Sequence, residues 1–150
     1  MSGNTAGYTT SFTVDHTPID AFAAILNPRA WWGQNIEGNT DALGEEWSYR
    51  YKDIHYSLHR TVELVPGQKV VWHVTEGTLN FVKDKTEWTG TDLIFDIAER
   101  NGKTEVRFTH RGLVPTVECY DTCSDVWGGL ITGSLRQLIE TGKGNPDDVE

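Results

Sequence analysis

Cysteine, basic residues and long apolar runs are all scarce in this 150-residue chain. The two cysteines, Cys119 and Cys123, lie four residues apart on one predicted helix. That spacing suits neighbouring turns of a helix and not a loop-closing disulfide, so we expect packed thiols and a reducing, cytoplasmic location. No second pair of ligands stands at metal spacing, and the sequence therefore predicts no zinc site.

Positive charge is the second scarce feature, with 13 Lys and Arg against 22 Asp and Glu and a formal net charge of −9. Because no basic cluster interrupts this acidity, we expect no nucleic-acid partner. The first residues, MSGNTAG, do not lead into an apolar run, and no segment is long and apolar enough to cross a bilayer. The sequence therefore predicts neither a secretory signal nor insertion into a membrane.

Tryptophan and glycine are abundant by contrast, with six and 15 residues. The length favours one domain over residues 1–150, and the patterning places its ordered core at about 8–142. An alternating strand over 8–15 precedes a helix that begins at Thr17-Pro18 and runs to Asn27. A short helical piece then ends at Gly33, and a polar loop follows over 34–44.

Most of the remaining chain has the period of β-strands. The predicted strands cover 45–51, 54–65, 69–76, 86–100 and 104–113. Pro66-Gly67 and Asn101-Gly102 mark tight turns between them, and 77–85 is expected to be a loop or a ragged hairpin. A last helix runs from about 117 to 141. This order predicts an α+β fold in which helices cover one face of an antiparallel sheet.

The last helix contains the unusual stretch WGGLITGSLRQLIETG, residues 127–142. Each interior glycine costs a helix about 1 kcal/mol relative to alanine. Gly129 and Gly133 stand four residues apart, and this spacing favours, slightly over simple tolerance, close approach by another backbone. A large apolar stripe runs beside them and comprises Tyr120, Cys123, Trp127, Leu130, Ile131, Ser134 and Leu138.

Four segments carry a family resemblance that spans residues 8–146. WGGLITGSLRQLIETGKGNP resembles the C-terminal helix of the START-like superfamily (SRPBCC, helix-grip fold). The first two helices of the superfamily resemble TPIDAFAAILNPRAWWG. Its paired strands about a Pro-Gly turn resemble LHRTVELVPGQKVVWHV. Its last strand, with the start of the C-terminal helix, resembles TEVRFTHRGLVPTVECYDTCSDVW. Within the superfamily, the chain resembles the activator-homologue-like family, named after the activator of the ninety-kilodalton heat-shock protein ATPase.

The resemblance implies a curved antiparallel sheet that grips the long helix, two short helices at one end, and a cavity between sheet and helix. We expect the cavity to bind a small hydrophobic or aromatic molecule, lipid-like or polyketide-like, without a cofactor or metal. Core filling is the competing explanation for each aromatic residue. The predicted ligand-binding residues are Trp32, Trp47, Tyr49, Tyr56, Trp72, Phe108, His110, Trp127, Ile131 and Ser134.

Two other functions follow from the resemblance. The first is a co-chaperone-like module that contacts a heat-shock ATPase as a monomer or weak homodimer, although the well-known activator carries an additional N-terminal domain. The second is an enzyme of the cyclase or aromatase type, which would need an acid or base in the cavity. His110 is the best candidate, with Arg60 and Asp92 more remote. A lone strand histidine is more often structural, so we predict no catalytic residue.

Overall fold

A computed structural model describes residues 7–33, 35–80, 82–83 and 85–146 of the chain. The predictions made for the first six residues lie outside these ranges. The strands are β1 (Gly7–Val14), β2 (Ile36–Gly38), β3 (Glu46–Tyr51), β4 (His55–Val65), β5 (Lys69–Leu79), β6 (Asp92–Arg100) and β7 (Lys103–Arg111). The helices are α1 (Pro18–Ile25), α2 (Pro28–Trp31), α3 (Tyr120–Gly128) and α4 (Arg136–Thr141), and a π-helical segment, Gly129–Leu135, joins α3 to α4.

All seven strands form one antiparallel sheet in the order β1-β7-β6-β5-β4-β3-β2. The continuous helix formed by α3, the π segment and α4, here called the C-terminal helix, packs on the inner face with α1 and α2 beside it. The α+β fold predicted from the sequence, an antiparallel sheet around a long C-terminal helix with two short helices, is confirmed. No helix in the described ranges is long and apolar enough to cross a membrane.

Local sequence explains the first helix pair. Thr17 caps α1, because its hydroxyl accepts a hydrogen bond from the Asp20 N–H and the Asp20 carboxylate accepts one from the Thr17 N–H. Pro18 and Pro28 occupy the first helical positions, where a missing N–H leaves no hydrogen bond unmade. The pair ends with Trp31 and Trp32, which the turn directs into the core.

Three predicted boundaries were wrong. The predicted polar loop 34–44 contains β2, and β5 extends through Gly77 to Leu79. The predicted long strand 86–100 begins only at Asp92. Residues 88–91, just before β6, form a turn. The Thr91 N–H donates a hydrogen bond to the Trp88 carbonyl, and Gly90 takes a left-handed φ of 87°. This turn places the Trp88 side chain inside the molecule.

The two helix glycines do not have the role that their spacing suggested. A Cβ atom built on Gly129 or Gly133 would have no neighbouring atom within 4 Å, and both residues are exposed. The close-approach hypothesis was therefore wrong. Both glycines belong to the π segment, whose wider turn shifts the buried positions. As a result Leu135 and Ile139 are buried, while Leu138, which an uninterrupted α-helix would have placed inside, is only half-buried.

Candidate functional site

A cavity of about 480 Å³ lies between the first part of the C-terminal helix and the strands β3 and β4. Its walls are mainly aromatic and aliphatic, and a few polar groups reach it. The lining residues are Trp32, Tyr49, Tyr51, Ile54, His55, Trp88, Thr122, Cys123, Val126, Trp127 and Leu130. A concave, mostly apolar site of this size is typical of small-molecule binding.

One wall consists of Trp88 and Trp127, whose rings are stacked with centroids 5.8 Å apart and an interplanar angle of 13°. Trp127 comes from α3 and packs on Phe108 of β7 at 4.5 Å. Trp88 lies against the backbone of Gly77, where a Cβ atom would approach the Trp88 Cβ to 2.8 Å. Glycine at position 77 therefore leaves the space that Trp88 occupies.

A chain of buried hydrogen bonds fixes this wall. The indole Nε1 of Trp127 donates to Nδ1 of His110 at 3.0 Å, so the ring proton of neutral His110 is on Nε2. Nε2 lies 2.9 Å from the Thr91 hydroxyl, which donates in turn to the Trp88 carbonyl at 2.6 Å. Burial and the neighbouring His55 lower the pKa of His110 to about 3, which keeps the imidazole neutral.

The aromatic wall continues from Trp127 to Trp32, whose ring centroids lie 5.0 Å apart, and then to Tyr49, which stacks on Trp32 at 4.7 Å with an interplanar angle of 29°. Trp32 follows α2 and Tyr49 lies on β3. Gly33 follows Trp32 in the chain and lies against Tyr49, since a Cβ atom on Gly33 would come within 2.3 Å of the Tyr49 ring. The close approach of this ring to the backbone requires glycine.

The cavity opens to solvent between Ile54 and Val126, two large apolar residues with exposed fractions of 41% and 52%. Ile54 precedes β4, and Val126 is on the C-terminal helix. Thr122 stands one turn before Val126, and Leu130 one turn after it. An apolar rim continuous with an apolar interior is a surface that an apolar molecule can enter without leaving a polar group unpaired.

Few polar groups face the cavity. The His55 ring contacts Trp88 edge-on at 4.6 Å and its Nε2 lies 3.2 Å from the Ser57 hydroxyl. Burial lowers the pKa of His55 to about 3, so it lines the cavity as a neutral ring. The buried, free thiol of Cys123 also lines it and shares a hydrogen bond with Cys119. That contact and burial raise the pKa of Cys123, so this thiol is not a nucleophile at neutral pH.

Behind Trp32 lies a second feature, here called the polar patch, formed by Trp47, His59, Thr61 and Trp72 on the inner face of β3, β4 and β5. Trp47 pairs with His59 across the strands, and Thr61 pairs with Trp72. The Trp47 ring lies 4.2 Å from the His59 ring and 4.7 Å from the Trp72 ring. All four side chains are at most 1% exposed.

The polar patch contains five buried atoms without a well-formed hydrogen bond within the described residues: Trp47 Nε1, His59 Nδ1 and Nε2, Thr61 Oγ1 and Trp72 Nε1. The Trp47 backbone nevertheless interacts with the His59 ring, and this contact opposes the lowering of the His59 pKa by burial. Each buried polar group without a hydrogen bond costs about 1–3 kcal/mol. Burial, above all, lowers the pKa of His59 to about 3, so the patch carries no charge.

The structure distributes the ten predicted ligand-binding residues over five kinds of position: the cavity, the core, the polar patch, hydrogen-bonded positions and, for Tyr56, the outer face of β4. Trp32, Tyr49 and Trp127 line the cavity. Phe108 and Ile131 are packed in the core, and Trp47 and Trp72 belong to the polar patch. His110 and Ser134 are held by hydrogen bonds, since the Ser134 hydroxyl donates to the Trp31 carbonyl and accepts from the Asn145 N–H.

Tyr56 is the clear misplacement. It lies on the outer face of β4, where its ring packs under the Arg50 guanidinium at 4.6 Å. The sequence analysis predicted that Tyr56 contacts the ligand, which requires its face of β4 to point inwards. The structure buries the other face, with Ser57, His59 and Thr61 inside. Periodicity separates the two faces of a strand but does not say which one is covered.

Sequence reasoning missed eight lining residues, of which Trp88 contributes the largest wall. Tyr51 was in phase with Trp47 and Tyr49 along β3, and this alternation could have included it. Thr122 and Val126 continue the helix face of Cys123 and Trp127 at a spacing of four, so a wider stripe would have found them. No sequence signal placed Trp88 inside, because the turn before β6 was predicted as strand.

The three residues considered for catalysis do not meet in the cavity. Both ring nitrogens of His110 are occupied by Trp127 and Thr91. Arg60 is exposed. Asp92 binds Nδ1 of His73 at 2.7 Å and pairs with Arg111.

Comparison with known proteins shows which solved structures share this fold. No family model matches the sequence. No curated protein matches it either. Among solved structures, the Aha1 dimer from Colwellia psychrerythraea is similar with a TM-score of 0.74 and 22% identity, over 93% of this chain and 99% of that one. The protein SSP2350 from Staphylococcus saprophyticus has a TM-score of 0.68 and 15% identity, over 93% and 96%.

DynU16, a protein of the dynemicin biosynthetic locus, is similar over 91% of this chain and 48% of its own length, with a TM-score of 0.67 and 12% identity. Likenesses at such low identity establish a shared fold. The chain thus shares the helix-grip fold of these proteins.

Proposed function

We propose that this protein binds a small, largely apolar aromatic molecule in the cavity beneath the C-terminal helix. The observation that carries the proposal is the cavity of about 480 Å³ with rigid aromatic walls. Its volume lies in the range of small-molecule sites, and its mouth is apolar. Trp88, Trp127, Trp32 and Tyr49 form one continuous aromatic wall, and such a wall favours an aromatic ring system.

The hydrogen-bonded wall supports binding more than catalysis. Because Trp127 and Thr91 occupy both nitrogens of His110, the best candidate for an acid or base acts as a structural link. The co-chaperone hypothesis is supported by the fold alone. The four sequence segments and the fold together support placing the chain in the activator-homologue-like family, whose members are functionally mixed.

Binding can be tested with 2-naphthol as the probe and isothermal titration calorimetry as the measurement. The unmodified protein is expected to bind one molecule saturably. Val126→Trp places a large ring at the mouth and is expected to weaken binding at least tenfold. Val62→Trp is the matched control, since Val62 is 47% exposed and does not line the cavity. Absence of saturable binding, or equal weakening by both substitutions, would overturn the proposal.

A further inference from the structure

The polar patch lies one aromatic ring away from the cavity. Trp32 lines the cavity, and the same ring is 5.3 Å from the His59 ring and 5.7 Å from the Trp47 ring. The Trp32 ring therefore separates the cavity from the patch. Trp32, at the C-terminal end of α2, is 2% exposed and its ring lies 4.7 Å from Tyr49 and 5.0 Å from Trp127, so a group reaches the patch only when the Trp32 ring moves.

We infer that the polar patch receives a neutral hydrogen-bonding oxygen, a hydroxyl or a carbonyl, of the molecule bound in the cavity. The ligand class is therefore an aromatic compound with such an oxygen at one end. This inference rests on the proposed function, because it concerns the same bound molecule. It adds Trp47, His59, Thr61 and Trp72 as residues that select the ligand by hydrogen bonding.

The donors and acceptors of the patch determine the kind of oxygen. The indole nitrogens of Trp47 and Trp72 can only donate. The Thr61 hydroxyl donates and accepts, and the neutral His59 ring has one nitrogen of each kind. The patch is therefore rich in donors, which suits an oxygen acceptor, and it retains acceptors for a hydroxyl proton.

Charge distinguishes a neutral oxygen from a carboxylate or a phosphate. The four side chains of the patch carry no positive charge, and His59 is held neutral by burial. An anion brought there would lose its water without gaining a cationic partner, which is strongly unfavourable. A hydroxyl or carbonyl loses much less and gains several hydrogen bonds. Solvent water is the other neutral group with this chemistry, and a test must separate the two.

The test compares 2-naphthol with 2-methylnaphthalene, which has nearly the same shape and no polar group. Both titrations follow the indole ¹H–¹⁵N resonances of the labelled protein. The unmodified protein is expected to bind 2-naphthol at least tenfold more tightly, and only 2-naphthol is expected to move the Trp47 and Trp72 indole signals downfield. Thr61→Val is expected to reduce this preference severalfold.

Thr104→Val is the matched control, because Thr104 is equally buried but its hydroxyl already donates to the His16 carbonyl. It is expected to leave the preference for 2-naphthol unaltered. Equal affinity of the unmodified protein for the two probes would overturn the inference and leave the cavity function standing, since water then satisfies the patch. A preference that survives Thr61→Val with unmoved indole signals would also overturn it. If neither probe binds, the proposed function fails first.

Discussion

The indole of Trp127 donates a 3.0 Å hydrogen bond to Nδ1 of His110, and this contact ties the C-terminal helix to the last strand of the sheet. From His110 the chain continues through the Thr91 hydroxyl to the backbone of Trp88. The two tryptophans at its ends form one wall of the cavity. A histidine that sequence reasoning placed among the ligand contacts thus orients the residues that line the site.

Thr91→Val should weaken the protein because it leaves the buried Nε2 proton of His110 without an acceptor. We expect the free energy of unfolding to fall by about 1–3 kcal/mol in urea denaturation. Thr109→Val is the control, since Thr109 is as buried as Thr91 and its hydroxyl makes only a 3.3 Å contact with Thr9. Equal effects of the two substitutions would show that the Thr91–His110 bond contributes nothing specific.

Acid should destabilise the protein through its buried histidines. His59 and His110 have pKa values of about 3 in the folded state against 6.5 when unfolded. The unfolded state therefore binds more protons below pH 6.5, and stability is lost as pH falls from there towards 3. Each fully buried histidine accounts for roughly 2 kcal/mol between pH 7 and pH 5.

This pH effect can be assigned by comparing urea unfolding at pH 7 and pH 5 before and after His59→Phe. The substitution is expected to remove about half of the loss that the two histidines cause together, because phenylalanine does not titrate. An unchanged loss of stability would mean that His59 is not buried in its neutral form.

Two equally buried threonines should respond in opposite directions to replacement by valine. Thr61 has no hydrogen-bond partner in the described structure, so removing its hydroxyl from the free protein should stabilise the fold by about 1 kcal/mol. Thr104 donates to the His16 carbonyl at 2.5 Å, so its replacement should destabilise by about the same amount. Thermal or urea unfolding measures the sign of the change in stability for each variant. A loss of stability in both variants would contradict the description of the polar patch.

Glycine at positions 33 and 77 should be necessary for the shape of the cavity. Alanine there places a Cβ atom 2.3 Å from the Tyr49 ring or 2.8 Å from the Trp88 Cβ, so a wall must move. We expect each substitution to cost about 1–3 kcal/mol of stability and to weaken 2-naphthol binding. Gly129→Ala is the control, because its Cβ atom meets nothing and alanine favours a helix by up to about 1 kcal/mol. Unchanged binding in Gly77→Ala would contradict the assigned wall.

The order of strands and helices could be predicted because antiparallel strands joined by short turns have a recognisable sequence pattern. Apolar and polar residues alternate along each strand, and typical turn residues separate the strands. Pro66-Gly67 and Asn101-Gly102 mark two such turns in the sequence, and the structure has β-strands on both sides of each. The turn before β6 was missed because Leu93, Phe95 and Ile97 alternate so regularly that the strand was extended backwards over Trp88.

The candidate site was much harder to predict, for physical reasons visible at single residues. Tyr56 was expected to contact the ligand, yet the face with His59 and Thr61 is the buried one. The spacing of Leu138 assumed 3.6 residues per turn, and the π segment changes that number locally. Which aromatic residues line a cavity and which fill the core depends on packing across the sheet, which a one-dimensional pattern does not contain.

The central claim is that the space between Trp88, Trp127 and Tyr49 holds a small aromatic molecule. Intermolecular nuclear Overhauser effects between bound 2-naphthol and methyl-labelled protein test it most directly. The account predicts contacts from the naphthol ring to the methyl groups of Val126 and Leu130, and none to Val62, which is on β4 outside the cavity. Saturable binding with contacts to Val62 instead, or no binding at all, would contradict it.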